Sequence, residues 1–253
     1  MTMIISRSTV ISRAEVTSRA EVTSRQSAKG RLAFALARAS CSAYYRFTPD
    51  SVTITGGAVT SVVDQFGGAA MVQTGFSSRR PSIAIVGGRW GLVCNGSTFL
   101  NRSTPLHSST RPLTVFAVLQ HSSTTGSQCA FRTGTSGGVG ITTGTAGASK
   151  REFYASNVGI GQDALADTSV EVRVITKAST LTGECALWVN GTKQTLDVTT
   201  FAVAAPGGVS CISTLGSNAF FKGTIWAVGV FDGELLSTDN IQALTSDEQA
   251  QFV

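Results

Sequence analysis

Charge is scarce in this chain. Asp, Glu, Lys and Arg supply only 14% of its 253 residues while 42% are hydrophobic, a balance that excludes an intrinsically disordered protein. Histidine is scarcer still. His107 and His121 stand apart in Ser/Thr-rich segments without metal-ligand spacing, so both are expected at the surface and neither as a ligand. No apolar run reaches the roughly 18 residues that a membrane-crossing helix needs. No basic segment precedes the short apolar stretch Met1 to Ile5, so no secretion signal is expected. A Gly-Lys-Ser/Thr phosphate loop is also missing, which removes the commonest nucleotide site. Asp163 and Asp167 fall short of the several loop ligands that a lectin-type calcium site uses. The five cysteines, Cys41, Cys94, Cys129, Cys185 and Cys211, include no Cys-x-x-Cys pair. Odd in number and mostly set in strand-like runs, they predict small buried hydrophobes in a reducing compartment rather than disulfides or a metal centre. No cofactor is expected.

Glycine is abundant, with 27 residues, and with the many Ser and Thr residues it points to short strands and tight turns. Val170, Val172 and Val174 alternate with Glu171 and Arg173, the two-residue period of a strand with one buried face. On that reading Glu171 and Arg173 form a solvated pair. Cys185, Leu187 and Val189 begin another strand, broken at Asn190-Gly191 and resumed at Lys193 to Leu196. Asn-Gly between two such runs is a hairpin signal, because both residues tolerate the positive φ of a type I′ turn. The stretch Gly223 to Phe231, GTIWAVGVF, is apolar nearly throughout, as a strand buried on both faces would be. Asn95, Asn101 and Asn190 begin Asn-x-Ser/Thr triplets and are read as turns. Leu235 to Leu244 and Ser246 to Phe252 read as two short helices, the second opened by the box Ser246-x-x-Gln249, with Ile241, Leu244 and Phe252 closing one end of the β body.

The first 26 residues carry a six-residue repeat, seen in Ile11-Ser-Arg-Ala-Glu-Val16 and Thr17-Ser-Arg-Ala-Glu-Val22. Six is a whole number of strand periods, so an extended chain places Val10, Val16 and Val22 on one face and Arg7, Arg13, Arg19 and Arg25 on the other. On a helix, six residues advance about 600°, which would smear the apolar positions around the cylinder. The repeat is therefore expected as a β-arm whose thin apolar face needs a partner surface. Residues 1–38 hold seven Lys and Arg against two Glu, so the whole formal charge of +5 belongs to this end and the body is neutral. Through Arg25 the arm has no aromatic residue, and glutamates are interspersed with its arginines; this favours an acidic protein surface over nucleic acid as partner. Residues 28–43 read as a connector.

Several pieces then occur in a telling order: Tyr44-Tyr45-Arg46-Phe47, Val59 to Gly68, Arg80-Pro81 to Ile85, Gly91 to Leu100, Leu113 to Leu119, Leu187-Trp-Val-Asn-Gly191 and Phe221 to Asp232. This order resembles that of laminin G-like, concanavalin A-like jelly-roll domains over residues 44–253. The resemblance implies an all-β fold: an antiparallel two-sheet jelly-roll sandwich carrying an extended N-terminal β-arm (1–27) and short C-terminal helices. Domains of this kind are similar to those of bacteriophage head-decoration and tail proteins. The resemblance thus implies a non-enzymatic virion structural protein, assembled in the host bacterial cytoplasm and fastened to other capsid or tail chains by its arm. A homo-oligomer is expected, a trimer if three arms pair their valine faces. The alternative it implies is a carbohydrate-binding adhesin of a tail fibre, in which Trp188 stacks on a surface glycan. From their apolar surroundings alone, Trp90, Trp188 and Trp226 read as core.

Two patterns suggest hydrolysis and fail on context. Gly134-Thr-Ser136-Gly-Gly138 matches a nucleophile elbow, but that device needs a strand-to-helix turn and here lies between β-like runs. Glucanases on the concanavalin-like scaffold resemble one another in a Glu-x-Asp-x-x-Glu strand with paired carboxylates. The matching strand has Arg173 where the second carboxylate would stand.

Overall fold

The run GTIWAVGVF has no polar face to give to water, and it forms the middle of the molecule. In a computed structural model, which describes residues 40–252 apart from 74, 108–110, 135–137, 145–149, 156–157, 179–182, 197–199, 202–206 and 215–218, it lies within a strand buried along nearly its whole length. Arg7, Val10, Arg13, Val16, Arg19, Val22 and Arg25 of the repeat, with most of the connector, fall outside the described residues, as does Ser136.

The strands are β1 (Ala43–Arg46), β2 (Val52–Thr55), β3 (Ala58–Val62), β4 (Met71–Val72), β5 (Ser82–Val86) and β6 (Arg89–Asn95). Next come β7 (Leu100–Arg102), β8 (Leu113–His121), β9 (Gln128–Arg132), β10 (Val139–Thr143), β11 (Lys150–Ala155) and β12 (Val158–Leu165). The last six are β13 (Val170–Lys177), β14 (Gly183–Val189), β15 (Thr192–Lys193), β16 (Thr200–Phe201), β17 (Ser210–Ile212) and β18 (Lys222–Asp232). One helix, α1 (Thr238–Gln249), follows them, and a 3-10 turn (Ala250–Phe252) continues it.

Among the described residues these strands form two nine-stranded sheets. The first runs β15-β14-β13-β8-β18-β6-β5, with β1 added beside β18 and β16 beside β14; the second runs β12-β11-β10-β9-β17-β7-β4-β3-β2. Neighbouring strands are antiparallel throughout. The expected two-sheet antiparallel sandwich is therefore the observed fold, and β18 is central as its composition demands. The Asn190-Gly191 turn is present, with φ of 50° and 76°, although the returning strand ends at Lys193 rather than Leu196. All five cysteines are free and buried, as expected.

One apolar layer lies between the sheets and includes Leu92, Val115, Leu119, Phe131, Ile175, Leu187 and Ile225. A second lies on the outer face of the first sheet, where Phe116, Val172, Val174, Trp226 and Phe231 meet Ile241 and Leu244 of α1. The C-terminal segment is one helix rather than two. Ser237 caps it, its Oγ accepting from the Asn240 N–H at 3.3 Å, and the expected Ser246 box lies inside it. A capping side chain works only where backbone donors are free, and those of Ser246 to Gln249 are spent within the helix. The helix covers a sheet face instead of plugging an end. Glu248, fully buried, fastens it by an ion pair with Arg89 of β6 at 2.7 Å. Phe252 adds an edge-on contact with Trp226, centroids 4.7 Å apart.

This cover corrects the reading of β13. The alternation is real, but the valine face turns outward under α1 and the charged face turns into the sandwich. Glu171 and Arg173 are completely buried. Trp90 is corrected in the other direction. It faces Ile85 across the β5–β6 edge hairpin, one pair before the Gly87-Gly88 turn, and stays 37% exposed because a hairpin tip overhangs the core.

Candidate functional site

The buried face of β13 builds an ion cluster between the sheets. Glu171 Oε2 accepts from Arg173 Nε at 2.7 Å, and Oε1 accepts from Arg151 Nε of β11, in the facing sheet, at 2.5 Å. Arg151 also reaches Asp167 at 3.2 Å. The rest of the Arg173 guanidinium donates to the Thr142 carbonyl (2.9 Å), Thr143 Oγ1 (2.8 Å) and His121 Nε2 (3.0 Å). Because Arg173 has only donors, His121 Nε2 must accept, which assigns the proton to Nδ1, 3.4 Å from Gln128 Oε1. Burial, and then the Arg173 charge, push the His121 pKa down to about 3, so the ring is neutral at ordinary pH. Two guanidiniums and two carboxylates balance here. Glu171 is completely buried, and both of its oxygens are taken by arginines. What the cluster can do is tie one sheet to the other.

His107, also expected at the surface, is buried as well, at the opposite end of β13. Its pKa is pushed down to about 4, chiefly by burial. Neither ring nitrogen has a hydrogen-bond partner among the described residues, nor has Asp232 Oδ1. Ser/Thr-rich sequence is a poor guide to exposure in a sandwich whose buried hydroxyls bond to backbone carbonyls, as Ser210 Oγ does to Thr104 and Thr133.

The accessible candidate is a cleft on the outer face of the first sheet, about 280 Å³ in volume, between the β14–β15 edge and the chain entering α1. The two-residue turn fixes its register: Trp188 faces Lys193 on one side and Val174 on the other, while Thr176 faces Ala186. Glu184, four residues before Trp188 on the same face, lies about 14 Å along the strand. Ser237 and Thr238 form the opposite wall. Glu184, Lys193, Ser237 and Thr238 are exposed, whereas Trp188 is nine-tenths buried. Its Nε1–H has no hydrogen-bond partner among the described residues, a buried orphan donor of a kind that folded proteins rarely leave. Trp226, by contrast, donates to the Arg89 carbonyl at 3.3 Å.

A second depression of about 410 Å³ is lined by Gln120, His121, Thr168 and Thr224. There Gln120 is engaged with the Thr168 carbonyl and His121 within the ion cluster, so these two side chains offer a ligand less. Of the aromatic residues that the sequence singles out for a glycan, the structure brings Trp188 to this cleft. Glu184, Lys193, Ser237 and Thr238 were missed. For Lys193 a signal existed, since a two-residue turn at Asn190-Gly191 necessarily sets it opposite Trp188.

No protein-family model matches the chain, and no curated protein does. Similarity to solved structures is at the level of the fold. Domain 4 of AbnA, an extracellular arabinanase from Geobacillus stearothermophilus solved in complex with arabinotriose, superposes with a TM-score of 0.56 at 13% identity, covering 81% of this chain and 98% of that domain. A Trypanosoma rangeli sialidase gives 0.52 at 10% identity over 83% of this chain. The chain spans about a third of the sialidase's length. These neighbours share the two-sheet β-sandwich fold with this chain.

Proposed function

We propose that this protein is a non-catalytic carbohydrate-binding β-sandwich, presented on a larger assembly by its N-terminal repeat. The observation that carries the reading is the Trp188 cleft, where an indole with a buried, unsatisfied N–H shares the lining with Thr176, Ser237, Thr238 and Lys193, and with Glu184 further along. Sugars are recognised by such a mixture of apolar surface and convergent donors and acceptors. The arabinotriose-bound domain with the same fold supports the reading, because it has a sandwich of this shape holding a saccharide. Trp188 would contribute a ring edge and its N–H rather than an open stacking face.

A glycan array with the full chain tests this. Selective binding is expected. Trp188→Ala should weaken it at least tenfold by calorimetry, and Trp188→Phe, which keeps the ring but removes the donor, by about tenfold, consistent with one hydrogen bond in a dry site. Loss of binding in Trp90→Ala instead, with Trp188→Phe unaffected, would move the site to the exposed hairpin and sink the assignment.

The assembly itself is inferred from the repeat. A bacteriophage particle, with capsid or tail chains as partners, is the reading that the arm and the free, buried thiols favour. Removal of residues 1–27 is expected to leave a folded, soluble sandwich that no longer co-sediments with its particle. Continued attachment of the truncated chain would refute the arm's role.

A further inference from the structure

The cleft is not evenly polar, and its asymmetry indicates which saccharides it selects. Its end at Trp188 is rich in donors, although the Ser237 and Thr238 hydroxyls on the facing wall accept as well as donate. The indole has an N–H and no acceptor, and the Lys193 ammonium likewise. Lys193 stands directly across from Trp188 in the hairpin register, exposed and without an ion-pair partner among the described residues. The wall beside them is the first turn of α1, a 12-residue helix. Ser237 Oγ occupies the Asn240 N–H, which leaves the N–H groups of Thr238 and Asp239 beyond the reach of any intrahelical acceptor. The positive end of the helix dipole adds to the Lys193 charge. Two carboxylates stand against this: Asp239, exposed in the same first turn but outside the cleft lining, and Glu184, at the far end of the cleft.

A neutral hydroxyl can pair with the Ser237 and Thr238 oxygens but gains little from the Lys193 charge or the helix dipole. A carboxylate accepts from two or more donors at once. We infer that the cleft selects acidic saccharides, with the carboxylate of a uronic- or sialic-type sugar seated between Trp188 and Lys193 and Glu184 standing apart at the far end. The inference rests on the carbohydrate-binding reading of this cleft and adds the charge class of the ligand.

The test is an array of neutral glycans beside their uronic- and sialic-acid counterparts, followed by titration of the full chain with oligogalacturonate and with its methyl ester, which keeps the sugar and removes the charge. The acid form is expected to bind about tenfold more tightly, with the advantage shrinking as salt is raised. Lys193→Gln should abolish the difference, Glu184→Gln should enlarge it, and Lys222→Gln, an exposed lysine outside the cleft lining, should leave it unchanged. Equal affinity for acidic and neutral forms, or an acid preference that survives Lys193→Gln, overturns this inference while the carbohydrate-binding reading stands. Failure to bind any glycan overturns both.

Discussion

Glu171→Ala is expected to lower the stability of the sandwich by about 3–5 kcal/mol, the usual cost of removing one member of a buried ion pair. The loss goes beyond one contact. Without this carboxylate the completely buried Arg173 guanidinium and that of Arg151 face each other across the sheets, and Asp167, half in solvent, is left to balance them. For a chain of this length each kcal/mol moves the melting temperature by roughly 2–4 °C, so thermal denaturation should shift by about 10 °C. The double variant Glu171→Leu with Arg173→Met discriminates among explanations. Replacing both partners by apolar groups of similar size is often neutral or stabilising, so the double variant should recover much of what the single one loses. A single variant within about 1 kcal/mol of wild type in urea titrations would mean that water reaches the cluster, and the sealed arrangement described above would be wrong.

Gly223→Ala should be comparably damaging for a reason with no electrostatics in it. Gly223 has φ of 152° and pairs with His121 of β8 on one side and Cys94 of β6 on the other. A Cβ there would overlap the Gln120 carbonyl oxygen, a backbone atom that cannot rotate away. Backbone strain and overpacking together suggest a cost of about 4 kcal/mol. Gly229→Ala supplies the comparison. Its Cβ would meet the Phe116 ring, a side chain able to shift within its layer, so the loss should be about half as large. If chemical denaturation ranks the two variants the other way, the tight β18–β8 approach is not what fixes this glycine.

Particular elements show how far sequence carries. Asn190-Gly191 and the apolar run of β18 were legible because each is decided locally, one by the φ values that two residues tolerate and the other by the lack of any polar face. β13 was legible as a strand and illegible in orientation. Alternation states which residues share a face, but which face meets water depends on α1, packed from about seventy residues further along the chain. The same long-range contact hid the site. Trp188 could be singled out as an aromatic residue, whereas the wall that makes a cleft of its surroundings comes from Ser237 and Thr238, whose sequence announces only a helix start. The histidines failed for a related reason: local polarity does not report burial when the interior is itself polar at both ends of one strand.

The element that covers the outer face of the first sheet follows every strand in chain order. During synthesis Phe116, Val172, Val174, Trp226 and Phe231 therefore emerge from the ribosome before Ile241 and Leu244 exist to shield them. Until that last turn is translated, the nascent sheet is a sticky surface, and any chaperone that attends this protein would find its binding patch there.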